Sequence, residues 1–458
     1  MFSRGGVIQL LVKRIYDWVK AVTSLSRVIH GRRLVHLDLL MRFFCISTDQ
    51  RRYTASLVAM GNGSSNQLGI PPGKGPEAVG CTDVMMDHTA QGSFFRLYYP
   101  CQEPEGAEKP DWIPCREYFN GLADFMKINR TLSERILNYL YGSFKIPACL
   151  DAPFKQSGKY PVVIFSHGLG AFRTLYSAIC IELASQGFIV ASVEHRDKSA
   201  SATYYFHQKS QLEQAASKQS SPGPESLVKE WLYYTPVQQE DNEFSVRNKQ
   251  VNQRADECIL ALEKLTQLNS GSPLQNVLQT KFDMSALENS MDLCRIAIVG
   301  HSFGGATVVK ALSKEERFKC GIALDAWMFP LEDETFPRVK QPLFFINSEK
   351  FQWAGNISRM RKLDSPVAQR KMITIRGTVH QSFPDFTFLT GHWIGKLMKL
   401  KGEIDPEVAI DLSNQATLAF LQRHLRLDRN FDQWDPLIDG QDENLIKGTN
   451  ITVLQSAM

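Results

Sequence analysis

Ser302 lies in Gly300-His301-Ser302-Phe303-Gly304-Gly305, between the apolar run Ile296-Ala297-Ile298-Val299 and the helix-compatible stretch Ala306-Thr307-Val308-Val309-Lys310-Ala311-Leu312. G-x-S-x-G between a strand and a helix puts a hydroxyl on a tight turn. Glycines two positions to either side leave room for neighbouring chain. The free N–H groups at the start of the following helix favour developing negative charge. Such a serine suits nucleophilic attack on an acyl carbon. At neutral pH its hydroxyl needs a base, and the base needs an anion to orient it.

Two downstream segments supply those partners. Cys320-Gly321-Ile322-Ala323-Leu324 reads as an apolar strand that ends on Asp325, followed by the apolar stretch Ala326-Trp327-Met328-Phe329-Pro330. Strand C-termini carry functional groups in parallel sheets, and an apolar loop would bury the carboxylate. Lys371-Met372-Ile373-Thr374-Ile375 reads as another strand, with His380 on the loop after it, expected to be the last strand. His88 and His207 precede the serine, and His392 and His424 lie on apolar helical stretches, so His380 is preferred as the base. The order serine, acid, histidine is that of α/β-hydrolases. An oxyanion formed in the attack needs two backbone N–H donors. Phe303, next to the serine, offers one. Ser166-His167-Gly168-Leu169-Gly170 follows a strong strand and offers Leu169 as the other. No step calls for a metal or a cofactor.

The elements needed to position these groups are legible. Phe94–Pro100, Pro161–Ser166 and Phe188–Val193 read as strands; Leu175–Gln186 reads as a helix stopped at Gly187. Helical periodicity returns at Val251, Ala255, Cys258, Ile259, Leu262 and Leu265. Strands alternating with helices imply an α/β fold with a mostly parallel sheet flanked by helices. Residues 207–227, rich in Gln and Ser, read as a polar surface insertion within a single domain spanning 60–458.

The chain has 458 residues and a formal net charge of +4, too small for its size to argue for nucleic acid as a partner. Nine cysteines, an odd number without a C-x-x-C pair, argue against a disulfide framework or a zinc site and favour a reducing compartment. Residues 1–59 hold ten Lys or Arg against three Asp and no Glu, and form a separate basic extension, disordered or cleaved. Such a segment also fits a transit peptide or a membrane-surface helix. Met60-Gly61-Asn62-Gly63-Ser64-Ser65 matches a myristoylation pattern that would act only if translation began at Met60.

Phe165 to Ser177, Val193 to Asp197, Gly300 to Thr307 and Ala323 to Pro330 together resemble the platelet-activating factor acetylhydrolases of the plasma and intracellular type II group. The resemblance spans roughly residues 70–450. It implies the α/β-hydrolase fold, a Ser302, Asp325, His380 triad, and Leu169 and Phe303 at the oxyanion hole. The implied activity is calcium-independent removal of acetyl or other short or oxidised sn-2 acyl groups from glycerophospholipids. Gln91 to Leu97 is closer to the intracellular type and Asp405 to Asn450 to the plasma type, so a cytoplasmic, membrane-associated enzyme and a secreted one both remain open.

A phospholipid substrate implies contact with a membrane or lipid particle. Phe386, Leu389, Trp393, Ile394 and Leu397 recur at helical spacing among Lys396, Lys399 and Lys401, an arrangement suited to docking on such a surface. Trp112, Ile113, Tyr118, Phe119, Leu122, Phe125 and Met126 form a second candidate. Other readings of the same fold are a carboxylesterase or thioesterase, or a non-catalytic binding module.

Overall fold

The computed structural model describes residues 68–127, 129–208 and 227–451. The basic segment 1–59, the Met60-Gly61 pattern and residues 209–226 of the polar insertion lie outside the described residues. In chain order, β1 (Val79–Met86) and β2 (Ser93–Pro100) are followed by helices α1 (Arg116–Phe125) and α2 (Arg130–Tyr141). Then come β3 (Cys149–Leu150), β4 (Tyr160–Ser166), α3 (Ser177–Ser185) and β5 (Ile189–Val193). Two strands, β6 (Ala202–Gln208) and β7 (Leu227–Tyr233), pair with each other apart from the main sheet and flank the insertion. The helix α4 (Glu243–Asn269) leads to β8 (Met291–His301), α5 (Phe303–Leu312), β9 (Phe318–Leu324) and β10 (Leu343–Ser348). The chain closes with α6 (Ala354–Arg361), β11 (Arg370–Ile375), α7 (Phe386–Leu389), α8 (His392–Leu397), α9 (Pro406–Leu425) and β12 (Leu445–Lys447).

The main sheet runs β12-β11-β10-β9-β8-β4-β5-β2-β1-β3. From β11 to β5 every neighbouring pair is parallel, while β2 and β12 join antiparallel at the two ends of that block. The expectation that His380 follows the last strand is therefore corrected: β12 comes later in the chain and pairs beside β11. After β4 the chain moves outward through β5; after β8 it moves the other way through β9, β10 and β11. The boundary between β4 and β8 is thus a topological switch point, and the crevice outside the strand C-termini there is where such sheets bind ligands.

Side chains alternate along the buried strands and feed two cores. Val163 and Phe165 of β4, with Ala297 and Val299 of β8, pack on the face covered by α1, α3 and α9. Val162, Ile164, Ile296 and Ile298 pack on the opposite face under α4, α5 and α6. Covering both faces is what makes these strands read as continuous apolar runs. The periodic stripe Val251, Ala255, Cys258, Leu262 and Leu265 is fully buried under the sheet. Its helix begins eight residues earlier than that stripe because Asn242 caps it, accepting from the Ser245 N–H at 3.0 Å.

The docking assignments of Phe386 and Leu389 are corrected: both are buried, with Phe386 set edge-on against Trp112 (4.9 Å) and Tyr141 (5.5 Å). Burying such a side chain is worth about 1.5–3 kcal/mol, so core packing claims the stripe. Trp112, Ile113, Tyr118, Phe119, Leu122 and Met126 are likewise core residues. The side chains of Trp393, Ile394 and Leu397 lie outside the described ones.

Candidate active site

Ser302 stands between β8 and α5 at φ +59°, ψ −114°, a left-handed conformation that costs a non-glycine residue about 1–3 kcal/mol. The surroundings hold it there. Its N–H donates to the Leu324 carbonyl at 2.9 Å, and its carbonyl accepts from the N–H groups of Trp327 (2.9 Å) and Gly305 (3.0 Å). The neighbouring glycines are needed for close approach. A Cβ on Gly304 would lie 2.0 Å from the Ser166 carbonyl oxygen, and one on Gly300 would lie 2.4 Å from the Gly304 carbonyl oxygen.

The three expected side chains converge. His380 Nε2 is 2.9 Å from Ser302 Oγ, and His380 Nδ1 is 2.6 Å from Asp325 Oδ2. Asp325 is 1% exposed and the His380 side chain 13%, so the carboxylate at the anchoring end is sealed from solvent while the imidazole keeps some access. Sequence reasoning missed the residues that fix this arrangement. The N–H and the hydroxyl of Ser348, at the C-terminus of β10, both donate to Asp325 (2.9 and 2.6 Å). A polar residue ending the apolar run Leu343–Ile346 was the available signal. Phe351 stacks on the His380 ring with centroids 3.7 Å apart. The His301 ring is tilted against it at 4.5 Å.

The state of His301 follows from its partners. The Gly168 N–H donates to the Tyr176 hydroxyl oxygen at 3.1 Å, which leaves the hydroxyl proton for His301 Nδ1, 2.9 Å away. Burial pushes the His301 imidazole well below its usual range, and the neighbouring His380 adds to the effect. His301 is therefore a neutral Nε2–H tautomer. His301, Asp325 and His380 place ligand-type atoms within 4.8 Å of one another, as a metal site would. Both His380 nitrogens have hydrogen-bond partners, in Asp325 and Ser302.

The loop His167-Gly168-Leu169 leaves β4 beside the serine; a Cβ on Gly168 would be 3.3 Å from Ser302 Cβ. Phe303 opens α5, where the first N–H groups have no intrahelical acceptor. Leu169 and Phe303 thus flank Ser302 from the two strands that meet at the switch point. Aromatic side chains surround the position: Trp327 packs on Phe303 (5.5 Å) and stacks on Phe329 (5.6 Å). Phe329 and Trp353 are exposed.

A mostly parallel sheet carrying a serine on a strand–turn–helix at its switch point, with an acid and a histidine from later strands, defines an α/β-hydrolase. A ferulic acid esterase from Streptomyces cinnamoneus superposes with a TM-score of 0.58 over 84% of this chain and 99% of its own, at 18% identity. The family model for platelet-activating factor acetylhydrolase, isoform II, matches residues 62–445, and the chain belongs to that family. It is 56% identical over 394 residues to platelet-activating factor acetylhydrolase from Gallus gallus, covering 86% of this chain and 92% of that one. Against the same enzyme from Canis lupus familiaris it is 52% identical over 394 residues, 86% of each chain. The protein is an ester-hydrolysing enzyme of this class.

Proposed function

We propose that Ser302 Oγ attacks the sn-2 ester carbonyl of a glycerophospholipid carrying an acetyl or other short or oxidised acyl group, as in platelet-activating factor. His380 takes the serine proton as the bond forms, and Asp325 stabilises the resulting imidazolium. The N–H groups of Leu169 and Phe303 receive the oxyanion. His380 then returns the proton to the departing glycerol oxygen, leaving an acyl-serine. Water loses a proton to His380, attacks the acyl carbon and releases the acid, regenerating Ser302. The observation that carries this reading is the continuous hydrogen-bonded path from Ser302 through His380 to Asp325, at 2.9 and 2.6 Å. A fluorophosphonate should label the wild-type protein on Ser302 and fail on Ser302→Ala. An acetyl sn-2 phospholipid should be cleaved far faster than a long-chain one, and activity should survive a strong chelator. Cleavage of simple soluble esters with no preference for the phospholipid would point to a carboxylesterase instead.

The protein would draw its substrate from a membrane or lipid-particle surface. Among the described residues no helix is long and apolar enough to cross a membrane. The exposed Phe329 and Trp353 beside the site, and the spacing of Trp393, Ile394 and Leu397 among lysines in the sequence, support surface contact. Trp393→Glu should lose vesicle binding and keep activity on a soluble ester. A cytoplasmic setting is supported by the odd number of cysteines without C-x-x-C spacing. The intact mass of native protein would reveal whether Gly61 is N-terminal and acylated.

A further inference from the structure

Behind the Leu169 loop lies a buried polar cluster that the mechanism above does not use. Arg254 of α4 is fully buried. Its Nη1 donates to the His167 carbonyl at 2.6 Å, and its Nη2 reaches the Gly168 carbonyl at 3.4 Å. Its Nε is shared between Asp197 Oδ2 (3.0 Å) and Ser199 Oγ (2.8 Å). The guanidinium carbon also lies 4.5 Å from the centre of the Phe303 ring. One side chain thus touches both segments that carry the two N–H donors.

The chemistry of the peptide unit gives these contacts a consequence. In a trans peptide the C=O and N–H of one unit point in opposite directions. The unit joining His167 to Gly168 displays this: its carbonyl faces Arg254, while its N–H faces the Tyr176 hydroxyl on the other side. The next unit joins Gly168 to Leu169. Its carbonyl accepts from His167 Nδ1 at 2.8 Å, from the Ala171 N–H at 3.3 Å and from Arg254 at 3.4 Å. The Leu169 N–H must then point away from all three. His167 donates through Nδ1 because its Nε2 is occupied as an acceptor, which puts the single ring proton on Nδ1. Burial and the Arg254 charge push its imidazole well below the usual range, and its Nε2 accepts from the His195 N–H at 3.3 Å. The Gly170 N–H, held by the Ser199 carbonyl at 2.8 Å, pins the far side of the loop.

We infer that Arg254, with His167 and Asp197, is a positioning residue: it holds the carbonyls of residues 167 and 168 so that the Leu169 N–H stays aimed at the oxyanion. This rests on the reading of Ser302 as the nucleophile. Without the clamp the peptide can rotate and present a carbonyl where a donor is required. The effect falls on the transition state, because the ground-state carbonyl carries little charge.

The test compares wild-type enzyme with Arg254→Lys and Arg254→Met. In Arg254→Met, kcat on an acetyl ester should fall about 10- to 100-fold, short of the 100- to 1,000-fold that follows loss of an oxyanion donor outright. KM should stay within about threefold. Affinity for a trifluoromethyl ketone, whose serine adduct is an oxyanion, should fall in parallel with kcat, and the pH midpoint of kcat/KM should not move. Arg254→Lys, keeping one charged donor, should recover part of both losses. Unchanged kcat and ketone affinity in folded variants, with only a lower melting temperature, would overturn the inference. Because Arg254→Met leaves a buried Asp197 unpaired and folding can fail, the wild-type crystal structure with the ketone bound decides independently. It should show the adduct oxygen on the Leu169 N–H and the Gly168 carbonyl on Arg254; a Gly168 carbonyl facing the adduct would sink the inference. Absence of Ser302 labelling in wild-type protein would instead refute the reading of the site itself.

Discussion

A serine held at φ +59° carries strain that glycine would not. Ser302→Gly and Ser302→Ala should both be inactive, yet the glycine variant should be the more stable of the two by about 1 kcal/mol. Urea midpoints measure this, and an alanine variant as stable as the glycine one would show that the turn is unstrained. His301 gives a second prediction. Its folded-state pKa is depressed, chiefly by burial, below the usual value of about 6.5. Its contribution to stability is therefore complete above that pH and is lost as pH falls, by about 1.4 kcal/mol per unit. The stability advantage of wild type over His301→Gln should shrink between about pH 6.5 and 5. Glu257, whose carboxyl burial pushes up to about 7, titrates with the opposite sign, so the difference between the two proteins carries the signal. Curves that stay parallel across that range would mean that His301 takes up its proton in the fold as readily as in the unfolded chain. The serine, acid and histidine were legible in the sequence because the chemistry demands those residue types in that order. Ser348 was marked only by its place at the end of an apolar run, and Arg254 not at all: it meets the His167 carbonyl across 87 residues, and nothing in its own neighbourhood marks the encounter.

At the scale of elements, β4, β8 and α5 meet where there is no room for another carbon. Gly304→Ala puts a methyl 2.0 Å from the Ser166 carbonyl oxygen, and that backbone is fixed within the sheet. The expected cost is about 3 kcal/mol or more. Activity should drop further than stability does, because the displaced segment is the one that leads into Leu169. Melting temperature and active-site-titrated kcat report the two effects; an alanine variant with wild-type values of both would refute the packing account. The buried strands were readable as apolar runs, and α4 as a stripe. The stripe at Phe386 and Leu389 misled because amphipathic spacing marks a face that will be covered without naming the cover. Here the cover is Trp112 and Tyr141, about 250 residues earlier in the chain. The short edge strand β12 had too few residues to show a pattern.

At the scale of the whole molecule, the site is assembled from distant parts of the chain. His380 is 78 residues from Ser302 and 55 from Asp325, with β9, β10 and β11 completed in between. The ordering of this path sets a sequence of events during synthesis. A ribosome-bound chain arrested with Ser302 outside the exit tunnel and His380 still inside should not react with a fluorophosphonate, whereas one extended past residue 451 should. Labelling of the shorter chain would mean that the hydroxyl is activated without its imidazole. On the proposed roles, the gap between nucleophile and base acts as a timer: a chain that has emerged only as far as Ser302 carries its hydroxyl in an idle form, and cutting power arrives only once β9, β10 and β11 are in place and His380 has followed them.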